Sequence, residues 1–208
     1  GGSGGNSYGI YNFSSSSPVV RNNTIFGGVG GSTYAIYIGV SSPIIQNNTI
    51  DGGAGNNSYG IFSVADPTNG RNSNPTVENN IVFASGAGTQ ICVAEATAGS
   101  DPVSFQNNDL FECPTALYRN QGTVDLIDVN KVNDLFSPDG NVSVDPLFVD
   151  IDGPDDDITT MADNDWHLSG VSPLEVTQGG LDLSSDFTTD KDGGERTVPW
   201  SIGAYELN

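Results

Sequence analysis

The stretch Ser17-Pro18-Val19-Val20-Arg21-Asn22-Asn23-Thr24-Ile25 returns as Ser42-Pro43-Ile44-Ile45-Gln46-Asn47-Asn48-Thr49-Ile50. It returns again as Asn74-Pro75-Thr76-Val77-Glu78-Asn79-Asn80-Ile81-Val82 and, one residue longer, as Asp101-Pro102-Val103-Ser104-Phe105-Gln106-Asn107-Asn108-Asp109-Leu110. The Asn pairs begin at 22, 47, 79 and 107, so the period runs 25, 32 and 28 residues. Between them a second unit repeats in step: Tyr8-Gly9-Ile10-Tyr11, Tyr34-Ala35-Ile36-Tyr37, Tyr59-Gly60-Ile61-Phe62, Thr89-Gln90-Ile91-Cys92 and Thr115-Ala116-Leu117-Tyr118. Each period holds short β-type runs punctuated by Gly, Asn, Ser and Pro, and no helical stripe of useful length. Such a period without helices predicts an all-β solenoid of about five stacked coils, each with two or three short strands.

Side-chain alternation assigns the faces. Val20, Ile45, Val77 and Phe105 share one position, and Ile25, Ile50, Val82 and Leu110 another. Together with Ile10, Ile36, Ile61, Ile91 and Leu117 they are expected inside. Arg21, Gln46, Glu78 and Gln106 are expected to face water. Asn repeated at one corner of every coil can hydrogen-bond along the stack, the structural alternative to an exposed Asn-Thr array. Tyr11, Tyr37, Phe62 and Tyr118 share a position of opposite parity to the inner Ile column, with Cys92 interrupting it, and form a candidate outward aromatic stripe for a neutral glycan.

These turns resemble those of bacterial right-handed parallel β-helix repeat proteins, which carry the same Pro-x-Ile/Val-x-Asn-Asn-x-Ile pattern. The resemblance covers residues 1–120 and implies a right-handed single-stranded parallel β-helix, a scaffold shared by polysaccharide-degrading enzymes, tailspikes and adhesins. Residues 121–208 change character. Asp145-Pro146-Leu147-Phe148, Trp166-His167-Leu168, Ser172-Pro173-Leu174 and Gly203-Ala204-Tyr205-Glu206 resemble the C-terminal segment of choice-of-anchor Q β-helix proteins. That resemblance implies an acidic, loop-rich cap closing the solenoid, and a secreted or cell-surface setting.

Charge separates the two halves. The chain of 208 residues carries a formal charge of -20, with 7 acidic and 3 basic residues up to Asn120 and 19 acidic and 3 basic beyond it. So acidic a protein repels phosphate backbones, which excludes nucleic acid as a partner, and no apolar run is long enough to span a membrane. Asp150, Asp152, Asp155, Asp156 and Asp157 cluster around Gly153, and Asp190 and Asp192 precede Gly193. Carboxylates alternating around a Gly turn suit Ca²⁺, although neither run follows the EF-hand spacing; the alternative is a solvated acidic loop, or Asp side chains that cap turns and pair with Arg196.

No catalytic set emerges. One His and two Cys exclude the common zinc sites. Asp51, Glu78 and Asp109 lie too far apart along the repeat to pair across a sugar, and Arg21, Arg71 and Arg119 do not recur beside acidic columns. His167 reads as structural, and a disulfide between Cys92 and Cys113 stays open. The expected function is a non-catalytic adhesion, carbohydrate-binding or assembly module with a glycan or surface-protein partner. A polysaccharide-active enzyme and an ice-binding protein are the alternatives, the latter weakened where Thr24 and Thr49 give way to Ile81 and Asp109. Gly1 to Tyr8 align on Gly27 to Tyr34, so the chain reads as starting inside a coil. This predicts a longer solenoid and an N-terminal coil edge available for end-to-end association.

Overall fold

The computed structural model describes residues 5–207. Four complete coils of three strands are stacked in parallel, one fewer than the period suggested. They are β1 (Asn6–Phe13), β2 (Val19–Arg21) and β3 (Thr24–Phe26); β4 (Val29–Gly39), β5 (Ile44–Gln46) and β6 (Thr49–Asp51); β7 (Ala54–Val64), β8 (Thr76–Glu78) and β9 (Ile81–Phe83); β10 (Thr89–Glu95), β11 (Ser104–Gln106) and β12 (Asp109–Leu110). Each coil gives one strand to each of three parallel sheets, and β13 (Ala116–Asn120) starts a fifth turn. The pairs Asn6↔Ser32 and Tyr8↔Tyr34 bear out the described part of the N-terminal alignment; Gly1 to Gly4 lie outside the described residues. Both predicted inner columns are buried, and they form one core with Ala35, Ile36, Ile38 and Ile61.

The two residues of each Asn pair do different work. The first, Asn22, Asn47, Asn79 or Asn107, takes φ between 51° and 57°, a left-handed turn that Asn tolerates better than most residues, and so bends the chain from the second sheet into the third. The second builds an internal ladder. The Nδ2 groups of Asn23, Asn48, Asn80 and Asn108 donate to the Oδ1 of the Asn one coil on, at 3.1, 2.9, 3.0 and 2.9 Å, ending on Asn141. Each of those oxygens also accepts the backbone N–H beside the donating amide, so the N–H groups of this corner, which lack strand pairing, are satisfied internally.

The segment after residue 120 does two things. First, β14 (Val124–Leu126) pairs antiparallel with β13, and α1 (Val129–Asn133) follows it; Phe136 then covers Phe105 and Tyr118 at centroid distances of 4.9 and 5.5 Å, closing the end of the core. Then β15 (Phe148–Asp150), β16 (Asp165–Leu168), α2 (Leu174–Thr177) and the final residues pack along the flank of the third sheet. There Ile81 and Phe83 meet Trp166, Leu168, Val176, Ile202 and Ala204 in a second core.

This strap docks on the outward amides of the first Asn column. Asn107 Nδ2 donates to Gly179 O, Asn79 to Leu181 O and Asn22 to Thr189 O, at 2.8, 2.8 and 2.7 Å, and Asn47 donates to both Ser201 O and Gly203 O. Thr49 is buried and its Oγ1 accepts the Ala204 N–H, so the Thr column expected of an ice-binding face lies under the strap. Arg21, Gln46, Glu78 and Gln106, expected to face water, instead form a side-chain hydrogen-bond chain in which Gln46 and Glu78 are buried.

Candidate functional site: the outer aromatic face

The first sheet keeps its outer side uncovered by the strap, and its shape follows from one irregularity. In β4 the order is Thr33 in, Tyr34 out, Ala35 in, Ile36 in, Tyr37 out, Ile38 in. Two consecutive inward residues reverse the alternation, so Tyr34 and Tyr37 emerge on the same side although they are three apart. Strand β7 repeats the pattern with Gly60 and Ile61. The first inward slot must be small: a Cβ on Gly60 would lie 2.3 Å from Val82 Cγ1.

Two aromatic columns result. Tyr8, Tyr34 and Tyr59 stand in register, with centroids 5.2 and 5.1 Å apart and planes within 12°. Tyr11, Tyr37 and Phe62 form the second column, at 4.9 and 5.7 Å and within 21°. Across the columns the rings meet edge to face, Tyr34 and Tyr37 at 88°. Ring faces within a column are turned to one another, so the surface presents mostly edges and phenolic hydroxyls. Phe13, two residues along β1 and over Gly39, adds a ring beside Tyr11 at 5.9 Å, and both are about half exposed, 52% and 54%. Burial, then the neighbouring Tyr59 and Tyr8, raise the Tyr34 phenol pKa; burial, then Tyr11 and Tyr8, raise that of Tyr37, which keeps both hydroxyls protonated donors.

Tyr11, Tyr37 and Phe62 are therefore brought together as the repeat suggested, while Tyr118 is not part of the stripe. It pairs with Val93 and so falls in the inner column of Ile36 and Ile61; it is 0% exposed, with its hydroxyl donating to Glu95 Oε1. The residue in the stripe position of the fourth coil is Ala94, followed by Arg119. Ile91, expected inside, lies opposite Tyr59 and packs with Ala94, Ala116, Tyr59 and Phe62. Tyr8, Tyr34 and Tyr59 were missed as surface groups, because strict alternation puts them opposite Tyr11; the small residue between each Tyr and Ile was the available signal. Flanking outward positions Asn6, Ser32, Asn57 and Thr89 are neutral, and charge first appears at the Arg119–Asp125 pair.

The acidic runs are occupied with turns. Asp155 and Asp157 accept from Asp157 N and Thr159 N, and Asp150 pairs with Asp165 in the β15/β16 ladder. Asp152 supplies a backbone carbonyl to Asp157 N, and Asp156 takes φ 53° in the same turn. Asp190 is buried and receives the N–H groups of Asp192, Gly194 and Glu206, while Asp192 meets His167 Nε2 at 3.0 Å. Among the described residues no three His, Cys, Asp or Glu side chains converge into a metal site. His167 also contacts Asp165 and lies against Tyr205, its ring tilted by 32° with centroids 3.8 Å apart. Burial works against its protonation, but the bonds to Asp165 and Asp192 outweigh it and raise its pKa.

Asp51, Glu78 and Asp109 are all buried. Burial lifts Asp51 to about 6, against bonds from Ser85 and Gly53, and lifts Asp109 to about 8, against a single bond from Val144. Cys92 and Cys113 form a disulfide with Cα atoms 5.5 Å apart; Cys92 occupies the inward slot that Gly60 fills one coil earlier. Among the described residues no helix is long and apolar enough to cross a membrane. No family model, no curated protein and no solved structure matches this chain.

Proposed function

We propose that this chain is a non-catalytic extracellular module that holds a neutral glycan against its outer aromatic face. The observation that carries the reading is the double column of six rings, left open on a molecule that covers its opposite flank with its own C-terminal strap. Tyrosines offer rigid apolar area and a hydrogen-bonding tip at little entropic cost, which suits a sugar's mixed C–H and hydroxyl surface. Six rings with neutral flanking positions, and with the nearby Arg119 paired to Asp125, on a protein of net charge -20 favour an uncharged ligand over an ionic one. The disulfide supports export to an oxidising compartment. The likeness of Asp145-Pro146-Leu147-Phe148 and Gly203-Ala204-Tyr205-Glu206 to choice-of-anchor Q segments supports a bacterial cell-surface setting.

A glycan array spanning neutral, acidic and basic polysaccharides tests this. Retention on neutral glycans that persists in high salt is expected. Retention only on charged glycans, lost in salt, would overturn it, and release of reducing ends from a bound polymer would favour the polysaccharide-active alternative.

A further inference from the structure

We propose that the groove formed by the turn from β9 into β10, the turn from β12 into β13 and the residue after β14 is a second binding site, one that takes a primary alkylammonium group carried on an apolar stem. The groove is open to solvent, measures about 730 Å³ and is separate from the aromatic columns, a volume in the range of small-molecule sites. Leu117, Pro114 and Ile127 supply its apolar walls, and Ile127 stands 72% exposed there. Cys113, tied to Cys92, fixes one side.

The polar side chains that line it are Ser85, Gln90 and Glu112, and all three offer acceptors. Ser85 Oγ gives its hydrogen to Asp51 Oδ2 at 2.6 Å, beneath the groove, leaving lone pairs on the oxygen. Asp51, lifted to about 6, is still ionised at neutral pH and keeps that direction of donation. Gln90 turns its Nε2 to the carbonyls of Ala84 and Gly86, so its Oε1 has no partner among the described residues. No hydrogen bond or ion pair among the described residues engages the Glu112 carboxylate.

A site with a carboxylate, two neutral acceptors, apolar walls and no basic residue is complementary to –NH₃⁺, which has three donors and no acceptor. The overall negative charge raises the local concentration of such cations.

The test uses the intact disulfide-bonded protein with labelled Leu and Ile methyl groups, at physiological salt, titrated with n-hexylammonium, n-hexanol and hexanoate. Saturable shifts at Leu117 and Ile127 with n-hexylammonium are expected, with n-hexanol and hexanoate much weaker. Glu112→Gln, an exposed and near-isosteric change, is expected to weaken n-hexylammonium about tenfold by removing a charge-assisted bond. Equal binding of n-hexanol, an unchanged affinity in Glu112→Gln, or shifts that miss Leu117 and Ile127 would overturn the proposal. A parallel titration with N-acetyl-lysine amide separates the sources: binding points to a lysine side chain, and its failure beside n-hexylammonium points to a free amine.

Discussion

Tyr34 and Tyr37 lie three residues apart on one strand, yet their rings meet edge to face at 5.7 Å on the same side of the sheet. The pair of inward residues between them, Ala35 and Ile36, is what makes this possible, and the same device in neighbouring coils turns an ordinary repeat into a two-column aromatic surface. Each stacked or edge-to-face pair adds roughly 0.5–1.5 kcal/mol beyond burial, so the columns also bind coil to coil.

The internal Asn ladder should be most sensitive at its middle. Asn80 is fully buried and its side chain accepts from Asn48 while donating to Ile45 O, Glu78 O and Asn108 Oδ1. Asn80→Ala strands several buried groups, each costing about 1–3 kcal/mol, and urea unfolding should show a loss of about 3 kcal/mol or more. Asn23→Ala, at the exposed end of the ladder, should cost about 1 kcal/mol.

The strap is held by a buried ion pair. Arg196 Nη1 lies 3.2 Å from Glu206 Oε2 with both side chains almost wholly inaccessible, and Nη2 donates to Gly203 O, Ala204 O and Asn22 Oδ1. Arg196→Met leaves Glu206 buried without its partner, so a loss of about 3–5 kcal/mol is expected. Hydrogen exchange should show the strap amides losing protection before those of the inner coils.

Asp109 makes stability depend on pH in a defined direction. Its folded pKa of about 8 lies above the ordinary 3.8, so the folded state holds a proton that the unfolded chain releases above pH 4. The stabilisation it brings is complete below about pH 4 and is lost as pH rises through about 8. Asp51, at about 6, acts in the same sense between about pH 4 and 6, and His167, raised from 6.5, acts in the same sense from about pH 6.5 upward. Melting temperature should fall between pH 5 and 9, and Asp109→Asn, neutral throughout, should flatten the fall above pH 6; an unchanged slope would refute the assignment.

Joining Cys92 to Cys113 closes a loop of separation 21 at the last full coil. Loop-closure entropy puts its contribution at about 3 kcal/mol. The Cys92→Ser/Cys113→Ser variant should lose about that much in denaturant unfolding, with the Leu117 and Ile127 methyl signals broadened, since Cys113 lines their groove.

Much of the solenoid was legible because its shortest strands alternate strictly: Val20, Ile45, Val77 and Phe105 fall inside as the pattern requires. The aromatic face was half legible, since alternation cannot anticipate two successive inward residues. Tyr118 was misplaced because β10 contains both Ile91 and Val93. Either fits an inner slot by composition, and the register chooses Val93. The strap left no local signal: Asn79 and Leu181 are 102 positions apart, and nothing near Asn79 names its partner. Asn141 was missed because it follows Gly140 singly instead of completing a pair.

The most direct measurement is calorimetric titration of the neutral glycan retained on the array into wild-type protein and into the Tyr34→Ala/Tyr37→Ala variant, with melting temperatures recorded alongside. Removing the two central rings of the face should weaken binding at least about tenfold, the effect expected where truncated aromatic anchors cost more than about 1.4 kcal/mol, while the protein stays folded. A folded variant that binds with wild-type affinity would contradict the account.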